Sequence, residues 1–318
     1  VTAEEVKGIL LGMASGQETL LGYFRRFIRN FEKRVGINRT VGSLRAYSNA
    51  YSHIERFLQA QYKLSDIPFS ALDRSFIDKY DLYLRTERNL APGTIINLTV
   101  QLKTIVGEAI ADGIITASPF MGYEPMRPKH VQKYLTAEEL HRIMTTPLHR
   151  QPLYHVRDMF LFSCFTGIPY GDMRLLTKDN LCLAEDGIWW IKSARQKTKI
   201  EFEIPLLDLP LQILKKYSGT APGDKLLPMY CNSTLNLYLK EIARICHIDR
   251  PLVFHAGRHT YATEITLSHG VPLETVSRML GHSQIETTQI YAKVTDEKID
   301  ADTKALNRKI SERFSVVI

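Results

Sequence analysis

Cysteine is scarce in this chain: four in 318 residues, at Cys164, Cys182, Cys231 and Cys246. No two of them form a C-x-x-C pair, which argues against a zinc site or a dithiol redox centre. Cys164 and Cys246 sit in apolar runs, and the set reads as buried free thiols of a cytosolic protein. A secretory signal is missing, and no apolar run is long enough to span a bilayer, so neither export nor a membrane partner is expected. There is no phosphate-binding G-x-x-x-x-G-K-[ST] loop and no carboxylate cluster suited to Mg²⁺, so no cofactor and no metal is expected. Internal repeats and low-complexity segments are absent too. Methionine is missing from the first position: the chain begins at Val1. An N-terminal piece, with any domain it carries, is expected to precede it.

What is present points to two packed domains. A chain of 318 residues exceeds one ordinary domain. Hydrophobic content of 44% supports cores, and 24% charged residues argues against disorder. Net charge is +7, a mild lean toward a polyanionic partner. Residues 1–130 carry 17 Lys and Arg against 13 Asp and Glu, and the remainder 24 against 21. The excess therefore lies in both halves.

The first third reads as four helices, a small bundle spanning 1–116. Residues 18–35 carry Leu20, Leu21, Phe24, Phe27, Ile28 and Phe31 as an apolar stripe with arginines off it. Residues 43–62 and 70–88 repeat the pattern. Pro92 opens a fourth helix that Asp112-Gly113 stops. Residues 117–133 form a charged linker broken by Pro119, Pro125 and Pro128. A second domain, 134–318, begins with the capping box Thr136–Glu139, followed by a helix over 157–165 that Gly167 ends. From Gly187 to Leu207 the pattern alternates as a strand hairpin whose polar turn is 193–199. The fold class expected is mainly α, with a small antiparallel β-sheet in the second domain.

Six residues of the second domain carry chemistry: Arg195, Lys197, His255, Arg258, His282 and Tyr291. His255 and Arg258 are three apart at a helix start and share a face. An arginine grips two phosphate oxygens, and a neighbouring imidazole donates a hydrogen bond or moves a proton. His282 follows Gly281, a helix-ending residue. His259 is expected to face elsewhere. Ser283 and Glu286 read as a capping box, placing Tyr291 on the second or third turn of the next helix. A phenol titrates near ~10 and needs help to attack anything at neutral pH. Lys197, in a mobile hairpin turn, can protonate a leaving oxygen.

The order of basic hairpin, H-x-x-R, L-G-H and then Tyr-Ala nine residues on resembles the tyrosine recombinase (phage-type integrase) family. The resemblance covers both halves. It implies a core-binding bundle of SAM-like type and a catalytic domain. It also implies a site-specific recombinase that cuts and rejoins DNA through a 3′-phosphotyrosyl intermediate, for integration or excision of a mobile element. On that pattern Tyr291 is the nucleophile and Arg258 a phosphate-binding arginine. His255 and His282 assist proton transfer and hold the phosphate. Lys197, with Lys199 as the alternative, protonates the 5′ leaving oxygen.

One position departs. The family's first arginine stands three residues after the threonine of a Thr-Gly pair, with an acidic residue three further on. Here the segment is Thr166-Gly167-Ile168-Pro169-Tyr170-Gly171-Asp172, with proline where arginine belongs. That departure resembles integrases of Bacteroides-type conjugative and mobilisable elements, in which a hairpin arginine substitutes. Arg195 is the candidate here and Arg174 the runner-up. In the bundle, Ser43, Arg45, Thr94, Asn97 and Lys103 resemble DNA-contacting positions, as does Lys129 in the linker. The partners implied are double-stranded DNA, further copies of the chain in a DNA-assembled tetramer, and accessory DNA-bending proteins. The implied location is the cytoplasm, at the nucleoid. Two other readings stay open: a DNA-binding relative that has lost catalysis, and a type IB topoisomerase-like enzyme. No serine sits in a comparable cationic series, so a serine recombinase is not favoured.

Overall fold

The computed structural model describes Lys7 and residues 17–126, 133–291 and 296–310. The chain divides into two compact units, 1–130 and 131–318.

Unit one is helical. Its described helices are α1 (Leu20–Glu32), α2 (Val41–Gln61), α3 (Arg74–Thr86) and α4 (Pro92–Ala111). Each buries one stripe, and Phe24, Phe57, Tyr80, Ile95 and Leu102 meet in one core. The capping is varied. Thr40 caps α2 by accepting from Ser43 N–H. Thr19 makes no such bond at α1. Asp66, brought in from a distant loop, accepts from the Leu21 and Gly22 amides instead, at 2.8 and 3.0 Å. The helix expected over 70–88 is two pieces. A 3₁₀ turn at Phe69–Ala71 ends before α3, because the Asp73 carboxylate caps the Phe76 amide at 2.7 Å and restarts the helix there.

Unit two holds α5 (Ala137–Thr145), α6 (Gln151–Thr166), α7 (Tyr170–Met173), α8 (Asp208–Lys216), α9 (Asn232–Ile245), α10 (Ala256–Thr260), α11 (Leu273–Leu280), α12 (Glu286–Gln289) and α13 (Asp296–Ile310). The capping box at Thr136 and Glu139 forms in both directions. Helix α6 is the centre of the unit. Most of its length is covered, with Leu153, Val156, Met159, Phe160, Phe162 and Cys164 buried, as suits a central helix. It is also longer than the 157–165 expected, since Pro152 at its first turn allows an earlier start.

Strands β1 (Leu181–Leu183), β2 (Trp189–Ala194) and β3 (Glu201–Pro205) form an antiparallel sheet in the order β1-β2-β3. Ser193 and Ala194 pair with Phe202 and Glu201, so the turn begins at Arg195, two residues later than expected. Ile191, Phe202 and Ile204 point into the core. The third strand, β1, had no counterpart in the sequence reading. Cys164 and Cys246 are buried, but Cys231 is exposed and Cys182 half-buried, which corrects the expectation of four buried thiols. Among the described residues no helix is long and apolar enough to cross a membrane.

Candidate active site

Helix α10 reaches its place because of one residue without a side chain. A Cβ at Gly257 would come within 2.9 Å of Ser163 Oγ and 3.3 Å of the Cys164 amide on α6. Glycine therefore lets α10 lie directly on the central helix. That contact carries Arg258 inward until it is only 3% exposed. Its guanidinium donates to the Gly167 carbonyl at 2.9 Å, to the Leu280 carbonyl at 2.6 Å, and to His282 Nε2 at 2.9 Å.

Helix α11 stops at Gly281, which takes the left-handed conformation with φ of 64°. The same glycine makes room for the hairpin. A Cβ on it would meet Arg195 Cγ at 2.9 Å. Arg195 thus lies across Gly281 and donates to the Leu280 carbonyl at 2.9 Å. Two guanidiniums, one from the hairpin and one from α10, converge on a single carbonyl oxygen. Asp172 on α7 forms a 2.6 Å ion pair with Arg195 and accepts from the Gln196 amide at 2.8 Å. Arg174, the other candidate, is exposed at the end of α7 and does not line this cavity. Pro169 occupies the position before α7 in extended backbone, φ −77° and ψ 162°.

The cavity has a volume of about 750 Å³ and includes Arg195, Lys197, His255, Arg258, His282 and Tyr291 in its lining. Lys197 is exposed in the turn. Lys199, its alternative, has a positive φ of 60° and is outside the lining.

Tyr291 departs from expectation in its surroundings. Helix α12 is a single turn, Glu286–Gln289, and Tyr291 follows its end rather than riding on it. The capping box at Ser283 does not form; Ile285 takes the cap position without a side-chain bond. The hydroxyl that matters here is Thr288's, which meets His282 Nδ1 at 2.7 Å. Tyr291 itself is 7% exposed and lies where the charges of Arg258 and Arg195 act on its phenol. Its ring stacks on His282 at 6.2 Å and 13°. His259 stands edge-on to it at 5.1 Å and in turn touches His255 at 4.9 Å. So His259 faces the site, not away from it. The helical wheel turned it from Arg258 correctly, but Tyr291 arrives from another element on that side.

Electrostatics set the protonation states. Burial pushes the Tyr291 phenol up, while Arg258 and Arg195 pull it down; the net direction is upward. Burial, then Arg258 and Arg195, lowers His282 to about 4. Burial, then His255, Lys133 and Arg258, lowers His259 to about 4. His255 is lowered as well, first by burial. Burial and Arg195 bring Arg258 down to about 10. At neutral pH the imidazoles are bases and the arginines stay charged. The lining carries Arg195, Lys197, Arg258 and Lys133, with Asp172 as the acid paired to this group. Arg250 also lines the cavity but is committed to Glu139. The arrangement is a concave surface with surplus positive charge, neutral bases and one phenol. It suits a multiply bonded anion under attack by an oxygen nucleophile.

In unit one, Ser43 and Arg45 on α2 and Thr94, Asn97 and Lys103 on α4 are all exposed, on two helices that pack together. Lys129 lies outside the described residues.

Fold and cavity together define a chain of two compact units, the second holding a tyrosine in a basic cavity. The phage integrase family model matches residues 133–298, and the phage integrase SAM-like domain model matches 19–125. The chain belongs to the phage integrase family. Among curated proteins it is 26% identical over 273 residues to the tyrosine recombinase XerD of Listeria monocytogenes serovar 1/2a, covering 80% of this chain and 89% of that one. It is 26% identical over 297 residues to the XerD of Staphylococcus saprophyticus, covering 89% and 96%. Two solved structures share the fold. One is the Tn1549 transposon integrase in complex with transposon right end DNA: TM-score 0.70, 19% identity, 91% of this chain and 99% of that one. The other is a lambda integrase dimer bound to a COC′ core site: TM-score 0.71, 18% identity, 88% and 98%.

Proposed function

We propose that the cavity holds one DNA phosphodiester and that Tyr291 attacks it, with Arg195 and Arg258 gripping the non-bridging oxygens. The chain is an enzyme of the tyrosine recombinase family, a site-specific recombinase or integrase. The observation that carries the finer reading is the convergence of two guanidiniums on the Leu280 carbonyl, in the cavity that the Tyr291 phenol also lines. A phosphate that replaces the carbonyl as acceptor would be held bidentately by planar cations.

The chemistry then follows in balance. The Tyr291 oxygen bonds to phosphorus and its proton passes to a neutral imidazole, His255 or His282. The bond to the 5′ oxygen breaks, and Lys197 protonates that oxygen as it leaves. A 3′-phosphotyrosyl bond replaces the phosphodiester, so ligation by another 5′ hydroxyl needs no external energy source. The cations neutralise the charge that gathers on the phosphoryl oxygens. Asp172 holds the hairpin arginine where Pro169 supplies none, the pattern of integrases of Bacteroides-type elements.

Residues 1–116 act as the core-binding half, and 117–133 as the linker to the catalytic half. Ser43, Arg45, Thr94, Asn97 and Lys103 contact mainly phosphates, so affinity falls steeply with salt. Four copies assemble on DNA to exchange strands, aided by accessory bending proteins.

The test is covalent trapping on nicked suicide duplexes carrying the element's own junctions. A protein–DNA adduct is expected from the wild type and lost in Tyr291→Phe, with DNA binding intact. An adduct that survives Tyr291→Phe would overturn the mechanism. Tight binding with no wild-type adduct would favour the second reading, a DNA-binding relative whose catalysis was lost with the arginine at Pro169.

A further inference from the structure

Thr288 is fully buried and makes two bonds that tie the site together. Its Oγ1 lies 2.7 Å from His282 Nδ1. Its carbonyl accepts the Tyr291 amide at 2.9 Å. The other ring nitrogen, His282 Nε2, faces Arg258 Nη2 at 2.9 Å. A guanidinium can only donate. A proton on Nε2 would set two donors against each other, so Nε2 must be the acceptor. In the neutral ring the proton is then on Nδ1, and it is donated to Thr288 Oγ1.

We propose that Thr288 is a positioning residue: its hydroxyl accepts the Nδ1 proton of His282 in the tautomer that Arg258 requires, and so holds the ring, while its backbone sets the place of Tyr291. The inference rests on the reading of His282 and Tyr291 as reactive groups. Its content is a direction. The Nε2 lone pair is turned toward Arg258, which lines the same cavity as the phenol. When a phosphate draws Arg258 to its own oxygens, Nε2 is left as an open acceptor beside Tyr291. The opposite tautomer would present a donor there and could take no proton. Burial keeps His282 neutral, as this role requires. The logic is that of an orienting partner behind a catalytic imidazole, with an uncharged hydroxyl in place of a carboxylate.

The direct test needs no variant. In protein labelled with ¹⁵N-histidine, with the His282 signal identified by its loss in His282→Gln, the His282 ring should show a protonated Nδ1 and a bare Nε2. A protonated Nε2 in the wild type would overturn the proposal. Thr288→Val keeps the shape and removes the acceptor, so the Nδ1–H signal should move from its hydrogen-bonded position while Arg258 keeps Nε2 bare. Adduct formation at saturating suicide duplex should slow by on the order of ten- to a hundredfold, as for lost orienting partners, with DNA affinity unchanged. Thr288→Ser should restore both the hydrogen-bonded Nδ1–H signal and the rate. A Thr288→Val protein that keeps the wild-type Nδ1–H signal or rate would equally sink the idea. If Thr288→Val does not fold, the wild-type spectrum and Thr288→Ser still decide. Failure of the wider mechanism looks different: an adduct persists in Tyr291→Phe, whatever the tautomer.

Discussion

The two units use the same residue types in opposite ways. In the bundle, several arginines are matched to partners and stay near solvent. Arg85 meets both oxygens of Asp81, Arg26 pairs with Glu18, and Arg25 donates to Tyr51. In the second unit Arg258 is buried and donates to two carbonyls and an imidazole. Tyrosines divide the same way. Tyr23 and Tyr123 donate to Asp112 and Asp81, each at 2.7 Å, and both are pushed far up by burial and those carboxylates. Tyr291 is raised by burial too, but Arg258 and Arg195 oppose that rise. A structural arginine has its charge answered within the protein. A site for an anion leaves that charge unanswered, at a cost in folding free energy that the ligand removes on binding.

That contrast can be broken most severely at Arg258. Arg258→Ala should reduce adduct formation by on the order of a hundred- to a thousandfold, the loss seen when a preorganised donor to a developing charge is removed. Gel assays on suicide duplexes measure it, and a loss no larger than that of Arg26→Ala would erase the distinction between the units. Next come the two candidate substitutes for the missing arginine. Arg195→Ala should cost about a hundredfold by the same principle, whereas exposed Arg174→Ala should leave the rate near wild type. The reverse order would move the role to Arg174.

A pH effect should separate the units as well. Unfolded imidazoles titrate near ~6.5, while His259 and His282 are lowered to about 4 in the folded protein. Between those values the unfolded chain binds more protons. Their contribution is therefore intact above the unfolded value and drains away as pH falls toward 4. Thermal unfolding from pH 7 to 4 should show this loss, and a His259→Phe, His282→Gln variant should lose less. An equal slope in that variant would remove these rings from the account. The smallest catalytic effect belongs to the bundle. Asp66→Ala removes a carboxylate that serves the α1 amides and should lower stability by about 1–2 kcal/mol. It should leave the adduct rate unchanged below the melting transition, as denaturation curves and trapping assays together would report.

Much of the fold was legible in advance because it is written locally. Helix α4 runs from Pro92 to Ala111, between a proline suited to a first turn and an Asp-Gly stop. The Thr136 box is read from two residues three apart. The hairpin over 187–207 shows as alternation. Strand β1 was not legible, since three residues carry no period to detect. Nor was the break at Asp73, where a capping carboxylate competes with an otherwise continuous apolar stripe. Around the site, the order of His255, Arg258, His282 and Tyr291 marked the family before any geometry. The same reading misjudged the surroundings of Tyr291. It took Ser283 for a cap and His259 for a bystander, because both judgements depend on neighbours distant in the chain.

By itself, then, the sequence determined the class of fold, the family and the short list of reactive groups, since spacing and side-chain chemistry are local properties. The tertiary structure decided which arginine stands beside Arg258, what faces each nitrogen of the His282 ring, and what walls in the phenol. Those depend on close approach between separate elements: α10 lying on α6 at Gly257, and the hairpin crossing Gly281. Hydrogen bonds and desolvation act over a few ångströms of space, and only the folded chain sets which residues share that space.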